Sequence, residues 1–332
     1  MAEFRRDPIT GRWVIIAAER AQRPQQLGAA KNPSQEEPCP FCAGNEALTP
    51  PEVWASPLRK SQADRPGWRV RVVPNKYPAL EPGGQGHASN DNFYQSRDGL
   101  GVHEVIVECP DHVTSMAELD DDQVTDILRA YRERFGALSL DPRWRYLLIY
   151  KNQGDRAGAT FEHLHSQLVA LPNVPREALD EIAGARAHFA ASGRCIYCEI
   201  VERELTYGKR VIFAHDQFIA LCPFASRFAY ETWILPRAHK AAFAESSEQE
   251  LKDCAHALGQ TIQRLNLALD NPPFNYFIHS LPTDGSAADS YHWHIEILPQ
   301  LFRAAGFELG SGSNINGVAP EAAAKLLHDV VL

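Results

Sequence analysis

The pattern of apolar and polar positions predicts a chain of short strands with a few helices. Residues 117–138 carry apolar side chains at the three- and four-residue spacing of a helix. The stretch 82–100 is dominated by Gly, Ser, Asn, Asp and Gln, so we expect a mobile loop there. Apolar runs of strand length occur at 13–18, 70–73, 102–108, 146–150 and 163–170.

The same order of elements recurs later in the chain. A helix predicted over 174–192 ends at Gly193 and links two halves. Helices are then predicted over 246–268 and after Pro320. Strands are predicted at 211–213, 218–221, 231–235, 274–278 and 291–298.

Two short motifs also recur at nearly equal offsets. The segment His163-Leu-His165-Ser-Gln167 has its counterpart in His292-Trp-His294-Ile-Glu296. His112 and His239 are separated by almost the same length of chain, and each follows a glutamate, Glu104 or Glu231, at the same spacing. The offsets indicate duplication of an α+β unit, with one antiparallel sheet and one helix in each copy. Chance similarity of short apolar strands is the alternative.

Length and charge narrow the class of protein. At about 150 residues per domain, 332 residues suggest two domains or one fold used twice. The net charge of −9 argues against nucleic acid or an anionic membrane as the main partner, although a few arginines and backbone dipoles can still bind a phosphorylated ligand. Because no apolar run approaches the roughly 20 residues of a membrane span, we expect a cytoplasmic protein.

Four of the seven cysteines form two Cys-x-x-Cys pairs, Cys39/Cys42 and Cys195/Cys198. In a reducing compartment such pairs hold a metal or perform redox chemistry. A redox pair is expected at the start of a helix after a strand, and the turn-rich surroundings of Cys39/Cys42 favour metal instead. The other three are expected to be small buried apolar side chains: Cys109, Cys222 and Cys254.

Each cysteine pair needs two further ligands, because structural zinc sites take four thiolate or imidazole ligands. The candidates for the first site are His87, His103, His112 and His163, and His87 falls in the predicted mobile loop. His112 and His163 have counterparts in the second half, which the other two lack. We therefore predict two sites of one design: Cys39, Cys42, His112 and His163, and Cys195, Cys198, His239 and His292.

The histidine segment itself predicts a catalytic site. In a strand, side chains alternate, so His163, His165 and Gln167 are expected on one face. The preceding loop is rich in small residues such as Gly154 and Gly158, which let backbone N–H groups approach a phosphate closely. A neutral imidazole beside such a phosphate site can form a labile phosphoramidate and divide one transfer into two steps. We assign His163 to the metal and His165 to catalysis.

These motifs identify a resemblance that covers nearly the whole chain. The segments ERAQRP, CPFC, VVPNKYPAL, NQGDRAGATFEHLHSQ and YHWHIEILP are similar to those of the galactose-1-phosphate uridylyltransferase family, part of the histidine-triad superfamily. The resemblance implies two duplicated histidine-triad-like units, 1–173 and 174–332, each an antiparallel sheet with a helix, joined into one extended sheet. It also implies a homodimer, two zinc ions per chain and transfer of a nucleotidyl group through a covalent histidine.

The resemblance assigns roles to individual residues. His165 would attack the α-phosphorus of a nucleotide sugar, and Gln167 would hydrogen-bond the phosphate oxygens. The remaining substrate-binding positions implied by the family are Asn152, Gly158 and Thr160 in the loop, Arg20 and Arg23 near the start, and Asn75 facing the nucleoside. Superfamily hydrolases carry a third histidine where this chain has Gln167, so the resemblance favours transfer over hydrolysis.

Three departures from well-known members concern the substrate and the second metal site. Leu164 stands where those members have proline. The segment 306–316 looks more like the ADP-glucose phosphorylase branch, and it also resembles many bacterial members assigned to galactose metabolism. The family implies that this segment completes the sugar pocket of a partner subunit. Some members hold the second metal, zinc or iron, with one glutamate and three histidines, which here would be Glu181, His279, His292 and His294.

We therefore expect an enzyme that exchanges a nucleoside monophosphate between a nucleotide sugar and a sugar 1-phosphate. The first expectation is a UDP-glucose:hexose-1-phosphate uridylyltransferase of galactose metabolism. The alternative is an ADP-glucose phosphorylase, an adenylyltransferase with inorganic phosphate as acceptor. A histidine-triad nucleotide hydrolase and a non-catalytic nucleotide-binding protein are two further alternatives.

Overall fold

The computed structural model describes residues 2–18, 38–56, 63–83, 87–90 and 93–332. In these ranges the first part of the chain forms nine strands and one long helix, α1 (Asp121–Ser139). The strands are β1 (Glu3–Arg6), β2 (Trp13–Ile16), β3 (Trp54–Ser56), β4 (Val70–Pro74), β5 (Ala88–Asn90), β6 (Gln95–Asp98), β7 (Val102–Val107), β8 (Tyr146–Gln153) and β9 (His165–Leu171).

The rest of the chain contributes five helices and five strands. The helices are α2 (Arg176–Ser192), α3 (Ile196–Tyr207), α4 (Glu248–Leu269), α5 (Gly306–Ser311) and α6 (Pro320–His328). The strands are β10 (Val211–Ala214), β11 (Phe218–Leu221), β12 (Thr232–Pro236), β13 (Phe274–His279) and β14 (His294–Pro299).

Ten strands form one antiparallel sheet in the order β10-β11-β12-β14-β13-β8-β9-β7-β4-β3. Reading outward from the centre, each half repeats the same connectivity, so that β8, β9, β7, β4 and β3 correspond to β13, β14, β12, β11 and β10. The halves meet where β8 pairs with β13, with Tyr150 opposite Phe277. The predicted α+β fold with two duplicated units in one extended sheet is therefore confirmed, whereas the boundary between 173 and 174 stays a prediction.

The helices α1 and α4 pack against each other and cover one face of the sheet around a common apolar core. Each has an N-cap that accepts a hydrogen bond from a backbone N–H of the first turn: Asp120 from Gln123, and Ser247 from Glu250. The helix α2 ends at Gly193, whose φ of 71° suits glycine. Within the described residues, no helix is both long enough and apolar enough to cross a membrane.

The structure differs from the predicted elements in several places. The expected mobile loop at 82–100 is wrong, because it contains β5 and β6. These strands pair with each other, and β6 also pairs with β1, in a separate small sheet of order β2-β1-β6-β5. Polar strands such as Gln95–Asp98 lack the apolar alternation that marks a strand in sequence. The helix α3, which starts directly after Cys195, was not predicted. The motif alignment of Glu104 with Glu231 is shifted by one residue, since the strand registers place Thr232 at the position of Glu104.

A buried polar network lies between the sheet and the helices. Lys151 and Glu108 form an ion pair with side chains 1% and 0% exposed. The Tyr131 hydroxyl lies 3.0 Å from Glu108 Oε1, 2.7 Å from Ser166 Oγ and 2.6 Å from the hydroxyl of Tyr276. Because Tyr131 belongs to α1 and Tyr276 to β13, the network connects the two halves of the molecule.

We predict that Lys151→Met lowers the free energy of unfolding by about 3–5 kcal/mol, because it leaves the Glu108 carboxylate buried without its cation. Urea unfolding followed by circular dichroism measures the change. The double variant Glu108→Gln/Lys151→Met should regain at least half of the loss, since neither partner is then charged. The control Lys325→Met removes a lysine with a side chain 75% exposed and should change stability by less than about 0.5 kcal/mol. Equal losses in the single and double variants would contradict the electrostatic explanation.

Candidate active site and metal centres

His165 is held in one defined orientation at the first position of β9. Its Nδ1 lies 2.9 Å from the backbone carbonyl oxygen of His163. A carbonyl only accepts hydrogen bonds, so Nδ1 carries the proton and Nε2 has a free lone pair. The residue is 5% exposed, and burial lowers the pKa of His165 to about 4. The imidazole is therefore neutral near pH 7 and has the form required of a nucleophile.

A partly open cavity lies next to this histidine. The wall combines apolar surface with a few polar groups, a composition typical of small-molecule sites. Phe41 and Phe161 provide aromatic surface, with ring centres 5.2 and 6.4 Å from that of His165. Four predicted site residues line the same cavity: Asn75, Thr160, His165 and Gln167.

Gln167 is fixed by neighbouring side chains on the cavity side of the sheet. Its Oε1 lies 2.9 Å from Nε2 of His103, 3.1 Å from the hydroxyl of Tyr150 and 3.5 Å from Nδ2 of Asn75. All four residues are buried or half-buried. The side chain therefore has little freedom to rotate.

The other predicted substrate-binding residues are placed differently. Asn152 and Gly158 adjoin each other, but neither is on the wall of this cavity in the part of the chain that the structure describes. The Oδ1 of Asn152 instead accepts a hydrogen bond of 2.8 Å from Asn275 in the other half. Arg20 and Arg23 lie outside the described residues.

The structure places the four predicted ligands of the first metal site close together. Its four ligand atoms lie within 4.8 Å of one another. Nδ1 of His163 is 3.6 Å from Sγ of Cys39 and 3.5 Å from Sγ of Cys42, and Nδ1 of His112 is 3.5 Å from the latter sulfur. A tetrahedral zinc ion with bonds of about 2.3 Å to sulfur and 2.0–2.1 Å to nitrogen separates these atoms by about 3.6 Å. The residues therefore fit a tetrahedral metal ion.

His163 has the hydrogen-bonding arrangement of a metal ligand. Its Nε2 donates to the carbonyl oxygen of Cys109 at 2.9 Å, which leaves Nδ1 facing the sulfur atoms. The residue precedes β9 rather than belonging to it, so the expectation that it shares a strand face with His165 and Gln167 is wrong. The turn lets the His163 side chain point to the cysteines while its carbonyl points to His165. The three unpaired cysteines are buried, as expected: Cys109, Cys222 and Cys254.

The second predicted set repeats this geometry. Sγ of Cys198 lies 3.4 Å from Nδ1 of His239 and 3.7 Å from Nδ1 of His292. The Nε2 atoms of these two histidines donate to the carbonyl oxygens of Ala288 and Pro236, each at 2.9 Å. Cys195 completes a group whose ligand atoms again lie within 4.8 Å of one another. Both cysteine–histidine clusters can thus hold a metal ion.

The second half also contains a counterpart of His165. Nδ1 of His294 lies 3.0 Å from the carbonyl oxygen of His292, as in the first half. However, Glu296 occupies the position of Gln167, and Glu181 and His279 lie beside it in one group of four. Although burial disfavours the charged imidazole, Glu296 and Glu181 outweigh that effect and raise the pKa of His294. A more cationic histidine is a poorer nucleophile, which separates the chemistry of the two halves.

That group differs from the alternative metal set suggested by the family. The alternative combined Glu181, His279 and His294 with His292, but in the structure His292 belongs to the cysteine cluster. Glu296 stands in its place and is paired with Arg227. The thiolate version of the second site is the one assembled from the predicted residues.

Sequence reasoning missed the residues that hold Gln167. His103 was weighed only as a metal ligand, and Tyr150 was not considered. Tyr150 lies directly opposite Gln167 in the pairing of β8 with β9, and His103 lies two residues before Val105, which is opposite Gln167 on the other side. Alternation along each strand would have identified both residues once the strand order was known.

Comparison with known proteins identifies the family. A family model described as the N-terminal domain of galactose-1-phosphate uridyl transferase matches residues 1–175, and a domain of unknown function matches 101–331. An ADP-glucose phosphorylase of Arabidopsis thaliana is 35% identical over 338 residues, which span 99% of this chain and 93% of that protein. A galactose-1-phosphate uridylyltransferase of Thermotoga maritima is 29% identical over 339 residues, spanning 99% and 98% of the two chains.

A solved structure extends the similarity to three dimensions. The crystal structure of an ADP-glucose phosphorylase from Arabidopsis thaliana with bound ADP-glucose superimposes with a TM-score of 0.78 at 33% identity and covers 100% of both chains. The chain is thus similar over nearly its full length, in sequence and in fold, to an ADP-glucose phosphorylase, and in sequence also to a galactose-1-phosphate uridylyltransferase. The chain belongs to the galactose-1-phosphate uridylyltransferase family, and it is a nucleotidyltransferase or phosphorylase of that family.

Proposed function

We propose that this enzyme is an ADP-glucose phosphorylase, which transfers AMP from ADP-glucose to inorganic phosphate through a covalent bond to His165. The identity of 35% with a phosphorylase, against 29% with a uridylyltransferase, supports this alternative over the first expectation of UDP-glucose and galactose 1-phosphate. The substrate is thereby a nucleoside diphosphate sugar with adenine as base.

The observation that carries the proposal is the orientation of His165, whose Nδ1 lies 2.9 Å from the carbonyl oxygen of His163. In the first step the Nε2 lone pair attacks the α-phosphorus. A P–N bond forms, the P–O bond to the β-phosphate breaks, and glucose 1-phosphate leaves with the electron pair. In the second step an oxygen of inorganic phosphate attacks the same phosphorus, the P–N bond breaks, and ADP leaves.

The neighbouring groups stabilise the intermediate. When Nε2 is bonded to phosphorus the imidazole gains positive charge, and the carbonyl oxygen of His163 stabilises it through Nδ1–H. The amide N–H groups of Gln167 donate to the phosphate oxygens. Because an amide does not release a proton near neutral pH, Gln167 cannot activate water as a third histidine could. The intermediate therefore persists until phosphate arrives.

Two zinc ions per chain fit the two cysteine–histidine clusters, since mixed thiolate and imidazole ligands favour zinc. The role proposed for both ions is structural, because each ion would have four protein ligands and no open position. The first ion would be held by Cys39, Cys42, His112 and His163, and the second by Cys195, Cys198, His239 and His292. Bound zinc would fix the His163 backbone, and with it the carbonyl that orients His165.

Several sequence-based expectations remain part of the proposal. Asn75 and Thr160 would contact the substrate from the cavity wall, whereas Asn152, Gly158, Arg20 and Arg23 rest on the family resemblance alone. A homodimer in which 306–316 reaches the partner's sugar pocket, a boundary between units at 173/174 and a cytoplasmic location are likewise predictions.

His165→Gly should abolish covalent labelling, because it removes the attacking nitrogen. The protein is mixed with ADP-glucose labelled at the α-phosphorus, denatured and assayed for bound label. We expect about one label per active site in the unaltered protein and a loss of turnover on the order of a thousandfold or more in the variant. The control His87→Gly changes a histidine with a side chain 75% exposed and should label normally. Normal turnover by His165→Gly would refute the proposed nucleophile.

The donor and acceptor are tested by identifying products. ADP-glucose with phosphate should give glucose 1-phosphate and ADP, with a kcat/KM at least about tenfold higher than for UDP-glucose with galactose 1-phosphate. Anion-exchange chromatography separates the nucleotides. Release of AMP without acceptor would favour the hydrolase, and the absence of bound label with every donor would favour the non-catalytic binding protein. Efficient formation of UDP-galactose would restore the first expectation.

Substitution of one metal ligand in each half should remove one ion at a time. We expect mass spectrometry of metals to find about two zinc ions per chain, and about one in both His163→Asn and His292→Asn. Both variants should unfold at lower urea concentration, because structural zinc contributes folding free energy. Only His163→Asn should also slow labelling of His165 strongly. A full zinc content in either variant would contradict the ligand assignment.

A further inference from the structure

His103 is a buried histidine that belongs to neither metal site and has no role in the mechanism proposed above. It lies on β7, is 4% exposed and is not part of any of the three metal-compatible groups in the described residues. Its Nε2 is 2.9 Å from Oε1 of Gln167. Its Nδ1 is 3.0 Å from the backbone nitrogen of Ala79.

The contact with Ala79 decides which nitrogen of His103 carries the proton. A backbone N–H can only donate a hydrogen bond, so Nδ1 of His103 must accept and is unprotonated. A neutral imidazole then has its proton on Nε2. This proton points to Gln167, and Oε1 of Gln167 is the acceptor.

Two further donors converge on the same oxygen. The hydroxyl of Tyr150 lies 3.1 Å from it, and Nδ2 of Asn75 lies 3.5 Å from it. The Asn75 amide is itself oriented, because its Oδ1 accepts from the backbone N–H of Tyr77 at 2.9 Å, so its Nδ2 is a donor. Nδ2 of Asn75 is also 3.1 Å from Nε2 of His103, and since both nitrogens carry hydrogens, both are directed to the shared oxygen.

These contacts determine how the Gln167 amide is turned. A flipped amide would bring its NH₂ group against the N–H donors of His103 and Asn75 and lose both of those bonds, while only the Tyr150 hydroxyl could accept from it instead. The two hydrogens of Nε2 are consequently left for the cavity that Gln167 and His165 line together. Hydrogen donors suit the oxygens of a phosphoryl group, whereas an amide oxygen in that place would repel them.

In the second half, other residues occupy the positions of His103 and Gln167. Counting from the strand registers, Glu231 occupies the position of His103, and Glu296 that of Gln167. Both carboxylates pair with Arg227. Neither can present an N–H donor, so the second half lacks the arrangement that the first half has.

We propose that His103 is a positioning residue, whose Nε2–H holds the Gln167 amide with its N–H groups turned to the nucleotidyl phosphate on His165. The inference rests on the proposed function, since it supplies the phosphate that Gln167 contacts. The orientation of the Gln167 amide depends on the backbone N–H of Ala79, because its hydrogen bond to Nδ1 places the His103 proton on Nε2. The Ala79 N–H orients the His103 imidazole, the imidazole orients the Gln167 amide, and the amide contacts the phosphate.

The first test is a double-mutant cycle on the rate of single-turnover labelling of His165. His103→Leu should slow labelling by about tenfold to a hundredfold, because the oxygen of Gln167 loses its shortest donor. In the Gln167→Ala background the same substitution should change the rate by less than about twofold. His103→Gln carries both an amide acceptor and an amide donor and should keep most of the rate.

A neighbouring buried substitution provides the control. Glu104→Gln changes the next residue of β7, which is 3% exposed and pairs with Arg134 on the helix side of the sheet. It should lower stability without slowing labelling. Zinc content should be unchanged in all of these variants.

The second test measures the tautomer directly. Nitrogen-15 NMR of the full protein, with the His103 signals assigned by their loss in His103→Gln, should show a proton on Nε2 and an unprotonated Nδ1. A proton on Nδ1, or slowing by His103→Leu that is equal with and without Gln167, would overturn the proposal. If the unaltered protein bound no label from any donor, the proposed function would fail instead, and the tautomer would still show whether His103 orients Gln167.

Discussion

The hydrogen bond from Nδ1 of His165 to the carbonyl oxygen of His163 is the constraint on which the active site depends. It selects the nitrogen that carries the proton and leaves Nε2 available to phosphorus. His163 serves two purposes at once, since its side chain points to the cysteine cluster while its backbone orients the neighbouring histidine. A metal bound there would therefore stabilise the nucleophile through one short backbone segment.

The duplicated unit repeats this backbone arrangement in different surroundings. His294 repeats the contact of His165, at 3.0 Å against 2.9 Å, and Tyr197 packs on it much as Phe41 does on His165. The difference lies in the charge of the surroundings, because carboxylates in the second half favour the protonated imidazole. The scaffold was kept in both halves, while the chemistry depends on a few polar side chains next to the strand.

The two faces of the central sheet carry different polar groups. One face holds a network that connects the two halves, and the other holds the residues around the cavity. On the helix face, the buried Lys151–Glu108 pair and the tyrosines around it connect the halves beneath β9. On the cavity face, His103 and Tyr150 fix Gln167. Alternation along β9 explains the division, because Ser166 and Gln167 are adjacent in sequence but point to opposite faces.

The sequence was sufficient to predict the duplication, the members of both cysteine–histidine clusters and the histidine segment, because recurring motifs and ligand types are visible without coordinates. It misplaced His163 on a strand and missed β5 and β6, since their polar residues carry no periodic signal. The contacts of His103 and Tyr150 with Gln167 became evident only in three dimensions. Those contacts join separate strands of the chain, and which strands become neighbours depends on packing of the whole sheet rather than on local pattern.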